Sequence, residues 1–318
     1  MSQWLLPENL QDFLPSQAKQ LEFFRRALLD LYASKDYQFV MPSLLEYEDS
    51  LNAHGKDLDL DTYKVVDQLS GKMMGVSSDL TTQAARIDAY LCNDQKINKL
   101  CYAGPVIRTK SSIGQSRELF QIGLECFGDE RLSADIEVQT TLIESLKLLN
   151  IKDIVFDINH LDVYRLLISK LDITPQERRD IDQAITLKDK SALHQLLNRF
   201  GKNDDAENLV NLIEMFGDKT IIQKLNALVK GDQNFDKIIS DLNTLVKKLE
   251  ILDIKLSFDF SDIRGYQYHS GLIFSAYSPG FKSVIAQGGR YDNLNKSLGI
   301  KRPATGFSMD LKYLVSHL

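Results

Sequence analysis

Three residues of one predicted strand have the types and spacing of a small-ligand site. Gln121, Gly123 and Glu125 occupy every second position of the segment 119–128, so they share one face of that strand. An amide and a carboxylate that point into one pocket, with a glycine between them that leaves room, suit a small polar ligand with a cationic group. A solvated strand face gives the same pattern, and these three residues alone do not separate the two interpretations.

A second group of polar and aromatic side chains lies at 264–269, between two predicted strands. Its sequence is Arg-Gly-Tyr-Gln-Tyr-His, and it begins at Arg264. An arginine beside aromatic hydroxyls can hold a carboxylate through two parallel hydrogen bonds while the rings enclose an imidazole or a similar group. A hairpin with surface aromatic residues is the alternative that this hexapeptide leaves open. The glycine pair before Arg290 is a weaker signal, because such pairs usually mark a bulge or a close backbone approach.

The composition is that of an ordinary globular protein with room for one large domain and an insertion. The chain has 318 residues, 43% of them apolar, and 38 Lys+Arg against 44 Asp+Glu give a formal net charge of -6. No basic block is long enough to follow a phosphate backbone, so we expect no nucleic-acid partner. No apolar run approaches the ~20 residues of a spanning helix, and the N-terminus lacks a signal-peptide pattern, so we expect neither membrane insertion nor secretion.

The cysteines favour buried, reduced thiols. Cys92, Cys101 and Cys126 are odd in number and lack the close pairing of a metal site. We therefore predict no metal site and a cytoplasmic location, where thiols stay reduced.

The periodicity of the apolar residues predicts an α+β fold. Steps of three and four predict amphipathic helices over 16–34 and 133–149. Pro42 lies in a run rich in strand formers but cannot donate to a ladder, which favours a sheet edge or an intersubunit boundary; a strand that leads into a loop is the open alternative. The predicted strands are 37–45, 62–66, 72–76, 100–108, 119–128, 154–158, 256–260 and 271–276.

The segment from 161 to 250 differs from its surroundings. It is leucine-spaced, charged and poor in glycine, which predicts a helical insertion subdomain. Strands precede and follow it, so the simplest organisation is one core domain, residues 1–160 and 251–318, whose sheet is completed after the insertion.

Five short motifs are highly specific in combination, although none is specific alone. They are Gly104-Pro105 with Arg108, the segment 120–128 (FQIGLECFG), Arg264-Gly265, the segment 288–292 (GGRYD), and Pro303-Ala304 with Gly306-Phe307. On these motifs the chain resembles the catalytic core of histidyl-tRNA synthetase over nearly its whole length. It is more similar still to the synthetase-like regulatory subunits of ATP phosphoribosyltransferase, the first enzyme of histidine biosynthesis. The resemblance implies a class II aminoacyl-tRNA synthetase-like antiparallel sheet flanked by helices.

The resemblance also implies a histidine site. Its six residues are Asp79, Gln121, Glu125, Arg264, Tyr268 and His269. The first two would meet the α-ammonium group, Arg264 would face the carboxylate, and Glu125 would address the imidazole. Synthetases have tyrosine where His269 stands, so either Tyr268 or His269 could be the second contact to the ring. The further pocket or coupling residues are Thr81, Arg108 and Arg117, and the loop 110–117 is the predicted ordering element.

Positions that handle ATP and magnesium in synthetases are changed in this chain. Their Arg-x-Glu becomes Arg108-Thr109-Lys110, and the Arg-Pro before the first acid becomes Ser77-Ser78. Their Gly-Leu-Glu-Arg becomes the segment 310–313, which is Asp-Leu-Lys-Tyr. Removing one well-placed transition-state donor typically costs ~3 kcal/mol, so several losses together predict that adenylate formation is absent.

The resemblance therefore implies a non-catalytic regulatory subunit. It would activate the short-form catalytic subunit of ATP phosphoribosyltransferase and bind histidine, with no cofactor, for allosteric feedback inhibition. A homodimer within a hetero-oligomer is expected, and so is the lack of an anticodon-binding domain, since the sequence stops at Leu318. The alternatives are an amino-acid-activating, adenylate-forming enzyme and a scaffold with a vestigial pocket.

Overall fold

A computed structural model of the protein contains both helices and strands. It describes residues 5–48, 51, 61–91, 96–110, 116–229, 231–263, 265, 269–292 and 302–318. In chain order the strands are β1 (Gln38–Phe39), β2 (Leu45–Tyr47), β3 (Lys64–Val66), β4 (Met73–Val76), β5 (Asn98–Ile107), β6 (Glu118–Phe127), β7 (Val155–His160), β8 (Phe216–Gly217), β9 (Lys255–Asp259), β10 (Leu272–Tyr277), β11 (Ala286–Arg290) and β12 (Ala304–Asp310). The predicted α+β class is confirmed.

The helices fall between these strands, with most of the shorter ones in the middle of the chain. They are α1 (Pro15–Ala33), α2 (Leu80–Leu91), α3 (Leu132–Leu148), α4 (Asp162–Ser169), α5 (Pro175–Thr186), α6 (Lys190–Leu197), α7 (Asp204–Asn211), α8 (Ile221–Leu228), α9 (Gln233–Leu249) and α10 (Leu311–Val315). Among the described residues, none of the helices has the length and apolar character needed to cross a bilayer.

Two units divide the chain. The first combines Met1–Lys152 with Ser278–Leu318, and the second is Asp153–Tyr277. These limits differ from the predicted boundaries at 160/161 and 250/251. The reason is strand pairing: β10 is antiparallel to β7, β7 is parallel to β9, and β8 is antiparallel to β9, so strands at both ends of the helical segment belong to the second unit.

The main sheet of the first unit has the strand order β1-β5-β6-β12-β11. β1 is parallel to β5, and the remaining neighbours pair antiparallel. On β6, Leu124 lies opposite Phe307 of β12, whose ring meets Tyr32 of α1 edge-on with centroids 6.0 Å apart. Because successive side chains of a strand point to opposite faces, this apolar contact with α1 leaves the other face of β6 to its polar residues.

Helix α1 follows its predicted periodicity closely. Phe24, Leu28 and Tyr32 are buried at steps of four residues, which places them on one side of the helix. The helix begins at Pro15, whose fixed φ suits the first turn and whose missing N–H removes no helical hydrogen bond.

The predicted strand over 37–45 is wrong in its extent. The segment contains β1 and the start of β2, and Pro42 lies between them because it has no N–H to give to a ladder. β1 stands at one end of the main sheet of the first unit, whereas β2 belongs to a small antiparallel sheet of order β2-β4-β3.

The second unit packs its helices through leucine-spaced faces. In α9 the buried residues Phe235, Ile238, Leu242, Leu245 and Leu249 recur at steps of three and four. Helix α5 begins with Pro175 after Thr174, whose hydroxyl accepts the Glu177 N–H while the Glu177 carboxylate accepts the Thr174 N–H. This reciprocal cap satisfies two backbone groups that would otherwise lack helical partners.

Candidate functional site

Strand β6 brings Gln121, Gly123 and Glu125 to one face of the sheet. In register, these residues lie opposite positions 104, 102 and 100 of β5 and opposite positions 310, 308 and 306 of β12. Gln121 is 3% exposed and Glu125 is 1% exposed. The alternative of a solvated strand face is therefore wrong, and the polar face of β6 is an interior site.

Glu125 is a buried carboxyl group held by two tyrosine hydroxyls. The Tyr102 hydroxyl donates to Oε1 at 2.9 Å, and the Tyr291 hydroxyl donates to Oε2. Thr81 Oγ1 lies 2.9 Å from the Tyr102 hydroxyl, so the first turn of α2 helps to fix that ring. Burial raises the pKa of Glu125 to about 8; the three hydroxyls oppose this effect, and the negative charge of Asp79 adds to it.

Two glycines make room for this arrangement. A Cβ on Gly306 would lie 1.6 Å from Glu125 Oε2, which no side chain can tolerate. A Cβ on Gly123 would lie 2.3 Å from the carbonyl oxygen of Phe307 and 2.8 Å from the hydroxyl of Tyr102. The absence of a side chain at both positions is therefore required by close approach, as is common where a backbone lines a site.

Asp79 and Gln121 form a second polar pair in the first unit. Gln121 Nε2 donates to Asp79 Oδ1 at 2.9 Å, and Gln121 Oε1 accepts the Leu80 N–H at 2.8 Å. Asp79 Oδ1 also accepts the Thr81 N–H at 2.9 Å, as an acid before a helix does. Gln121 thus positions the Asp79 carboxylate, and a carboxylate keeps further lone pairs with which it can accept from an ammonium group.

The two predicted arginines lie at the two ends of the loop 110–117. Arg108 Nε donates to the carbonyl oxygen of Ser78 at 3.0 Å, and its backbone N–H donates to Arg117 O at 2.8 Å. The Arg117 guanidinium donates to the Tyr63 hydroxyl, while its backbone N–H donates to Asn9 O at 2.9 Å. Residues 111–115, the middle of the predicted ordering element, lie outside the described residues.

The remaining predicted site residues belong to the second unit. His269 is half-buried, and its carbonyl oxygen accepts a hydrogen bond from the Arg165 guanidinium. Arg264 and Tyr268 lie outside the described residues, so the roles of all three stay predictions. Within the described ranges, no cluster of three or more His, Cys, Asp or Glu side chains is arranged to hold a metal ion.

The positions where synthetases carry nucleotide-binding groups have other uses here. The carboxylate of Asp310 accepts the Phe120 N–H at 3.0 Å and the Lys312 N–H at 3.1 Å, which caps α10 and ties it to β6. Burial raises the pKa of Asp310 to about 6. Lys312 pairs with Glu118 at 2.9 Å. These side chains bind other parts of the protein and do not form a phosphate clamp.

Tyr313 stands at the position of the synthetase arginine, and its side chain lies in the interior. It is 7% exposed, and its hydroxyl accepts the Ser283 N–H at 3.0 Å. Its ring meets Phe281 edge-on with centroids 5.9 Å apart. A neutral aromatic side chain in this place cannot neutralise phosphate charge.

Arg290 of the glycine-pair motif has a structural role. Its guanidinium makes a two-pronged, buried ion pair with Asp135 of α3, with Nη2–Oδ2 at 2.7 Å and both oxygens 3.1 Å from Nε. It also donates to Asp129 O at 3.1 Å. The pair connects β11 to α3, and burial raises the pKa of Asp135 even with the arginine beside it.

Sequence reasoning missed Tyr102, Tyr291 and Gly306 as neighbours of Glu125. A signal existed for Tyr102, since it lies two residues before Gly104 on β5 and therefore shares that residue's face of the strand. Tyr291 and Gly306 offered no such signal, because their approach to Glu125 depends on the register between strands that are distant in sequence.

Comparisons with known proteins agree with this fold. The family model described as "Histidyl-tRNA synthetase" matches residues 9–314. A solved structure titled as an ATP phosphoribosyltransferase regulatory subunit/histidyl-tRNA synthetase from Bacillus halodurans has a TM-score of 0.87 at 23% identity, covering 100% of this chain and 84% of that one. The fold and the family match thus define a class II protein of the histidyl-tRNA synthetase type, as predicted.

Relatives with curated names identify one family within this class of proteins. A protein named ATP phosphoribosyltransferase regulatory subunit from Methylobacillus flagellatus is 39% identical over 320 residues, covering 100% of this chain and 82% of that protein. One of the same name from Thiobacillus denitrificans is 41% identical over 318 residues, covering 99% and 98%. The chain belongs to the family of ATP phosphoribosyltransferase regulatory subunits.

Proposed function

We propose that this chain is a non-catalytic subunit that binds free histidine beside Glu125 and reports its occupancy to the catalytic subunit of ATP phosphoribosyltransferase. The observation that carries the proposal is a contrast within the first unit. Asp79 is held by a hydrogen bond from Gln121 and Glu125 by one from Tyr102, whereas Lys312 and Tyr313 bind to other parts of the protein. A set of recognition groups without a nucleotide clamp suits a sensor.

Histidine offers the groups that this set would bind. Its α-ammonium would meet Asp79, held in place by Gln121, and its ring N–H would meet Glu125. The contacts expected from sequence for Arg264, Tyr268 and His269, which belong to the second unit, stay predictions. The Asp79 carboxylate would pair with the α-ammonium group, and an uncharged ligand would leave it without a counter-charge.

The proposed partner is a short-form catalytic subunit, which this chain would activate and make sensitive to histidine, within a hetero-oligomer that contains a homodimer of this chain. Large apolar side chains exposed along residues 39–47, such as Met41 at 81%, support a further protein contact there. Light scattering of the purified chain tests the homodimer, and a monomer at all concentrations would contradict it. The proposal includes a cytoplasmic location, consistent with the buried free thiols of Cys101 and Cys126.

Titration calorimetry with histidine, first on the chain alone and then on the complex with the catalytic subunit, tests the proposal. Feedback requires histidine to bind two states of the complex with affinities that differ by ~1–3 kcal/mol. Because the catalytic subunit changes which state this chain adopts, we expect the histidine affinity of the chain alone to differ from that of the complex, or binding to occur in the complex alone. No heat in either preparation would contradict a histidine sensor. Histidine-dependent exchange of pyrophosphate into ATP would instead reveal an adenylate-forming enzyme.

Replacing Glu125 with alanine is expected to blunt feedback while sparing activation. Loss of a hydrogen bond to a charged partner costs ~1.5–3 kcal/mol, which corresponds to roughly a 10- to 150-fold rise in the histidine concentration that half-inhibits the complex. Inhibition curves of the complex, measured with and without the change, provide the test.

The matched control is Glu130→Ala. Glu130 is exposed just beyond β6, so its replacement should leave both activation and inhibition unchanged. If Glu125→Ala left the inhibition curve unmoved, Glu125 would not contact the ligand; loss of activation together with inhibition would indicate a folding defect.

A further inference from the structure

The environment of Glu125 has an unusual balance of charge. It contains two carboxyl groups, Glu125 and Asp79, together with the hydroxyls of Tyr102, Tyr291 and Thr81. Among the described residues, no basic side chain forms an ion pair or a hydrogen bond with either carboxyl group. Because Glu125 is buried without a cation, its ionised form is costly, and the usual response of such a group is to bind a proton.

Each element beside Glu125 contributes a neutral or acidic group. Strand β5 contributes the Tyr102 hydroxyl, the residue after β11 contributes the Tyr291 hydroxyl, and the start of α2 contributes Thr81 and Asp79. On β12 the residue opposite Glu125 is Gly306, which has no side chain. Hydroxyl groups can donate to an ionised carboxyl or accept from a protonated one, so the same geometry serves both states.

We infer, as a step that rests on the proposed function, that histidine binds with a single proton shared between the Glu125 carboxyl group and the imidazole ring. An ionised Glu125 beside a neutral ring would be a buried charge without a counter-charge, and a protonated Glu125 beside an imidazolium would leave the ring cation unpaired. The shared proton is counted relative to an ionised Glu125 beside a neutral ring. With that one proton added, the pair is either a protonated Glu125 with a neutral ring or a carboxylate with an imidazolium. The proton moves between a carboxyl oxygen and a ring nitrogen, and no other bond changes.

The pH dependence of binding follows from this proton count. Between the ring pKa, ~6.5, and that of Glu125, the empty site holds the proton and free histidine has a neutral ring, so binding neither releases nor takes up a proton. Above the pKa of about 8 for Glu125, the complex must take up a proton. Below the ring pKa the two partners bring two protons and one must leave. Affinity should therefore fall about tenfold per pH unit on each side of a plateau.

Calorimetry of the complex in buffers with different ionisation enthalpies measures the proton count directly. After subtraction of free histidine's own titration, we expect roughly zero protons at about pH 7.2 and an uptake of about 0.9 at about pH 9. Glu125→Gln is the matched variant, because glutamine has the same shape but cannot release a proton. Its uptake at the higher pH should be near zero after the same subtraction.

The outcomes separate this inference from the proposed function. Absence of histidine heat at every pH would overturn the proposed function itself. Heat at both pH values with an uptake below roughly 0.3 protons at about pH 9 would leave histidine binding intact and overturn the shared proton. Should the Glu125→Gln variant fail to bind, the count for the unchanged protein still decides.

Discussion

An alanine at position 306 is expected to abolish histidine binding and to destabilise the protein by about 3 kcal/mol, at the upper end of the cost of overpacking. The new Cβ would lie 1.6 Å from Glu125 Oε2 and 2.5 Å from the carbonyl oxygen of Leu124. The first contact involves the carboxyl group proposed to bind the imidazole, and the second involves the backbone of the neighbouring strand. Neither can be relieved without moving Glu125 away from its tyrosine partners or separating β12 from β6.

Urea denaturation and titration calorimetry together measure both effects of Gly306→Ala. The control is Gly104→Ala on β5 of the same sheet, where the nearest atom to the new Cβ would be Leu80 Cδ1 at 3.6 Å, an ordinary contact. That variant should unfold within ~1 kcal/mol of the original protein and bind histidine normally. A Gly306→Ala protein with unchanged affinity would show that the Glu125 carboxyl group is not part of the histidine site.

Replacing Arg290 with methionine is expected to cost about 3–5 kcal/mol, because it leaves the Asp135 carboxylate buried without its partner. Asp135 is 3% exposed, and the paired atoms are 2.7 Å apart. Burial already raises the pKa of Asp135, so without the arginine this group would bind a proton in the folded state. The free energy of unfolding at neutral pH, from urea denaturation, measures the loss.

Two controls isolate the unpaired charge as the cause. The double change Arg290→Met with Asp135→Leu removes both charges and should recover much of the lost stability, as replacement of buried pairs by apolar residues often does. Lys237→Met breaks a pair whose lysine is 81% exposed and should cost no more than ~1 kcal/mol. If the Arg290→Met variant were as stable as the double variant, the unpaired Asp135 carboxylate would not be the cause of any loss of stability, and the prediction would be wrong.

Local patterns predicted the elements and the polar face of β6. The shared face of Gln121 and Glu125 follows from the two-residue repeat of any strand, so it needs no knowledge of the rest of the fold. Their burial does not follow, because a buried and a solvated polar face have the same alternation. The Tyr291 hydroxyl could not be placed beside Glu125 from sequence, since that needs the register of three strands at once.

The differences between the predicted and the observed elements arise from contacts between segments that are distant in sequence. Pro42 was recognised as a ladder breaker, but whether it bends one strand or separates two depends on the partners available on each side, and β1 and β2 join different sheets. The strand β8 has two residues and no periodicity to detect. The limits of the second unit depend on which strands pair with one another. The composition and spacing of residues in the helical segment do not reveal that pairing.

The environment of Tyr313 has a consequence for protein engineering. Its ring contacts Phe281 and its hydroxyl accepts the Ser283 N–H, so an arginine substituted there would bring a cation into an aromatic interior and lose that hydrogen bond. A laboratory that wished to turn this chain into an adenylate-forming catalyst would have to rebuild the 281–283 turn, the cap at Asp310 and the missing acid in concert. Exchanging Asp310 or Tyr313 alone would remove hydrogen bonds that hold α10 and the 281–283 turn in place, so we expect such single changes to cost stability.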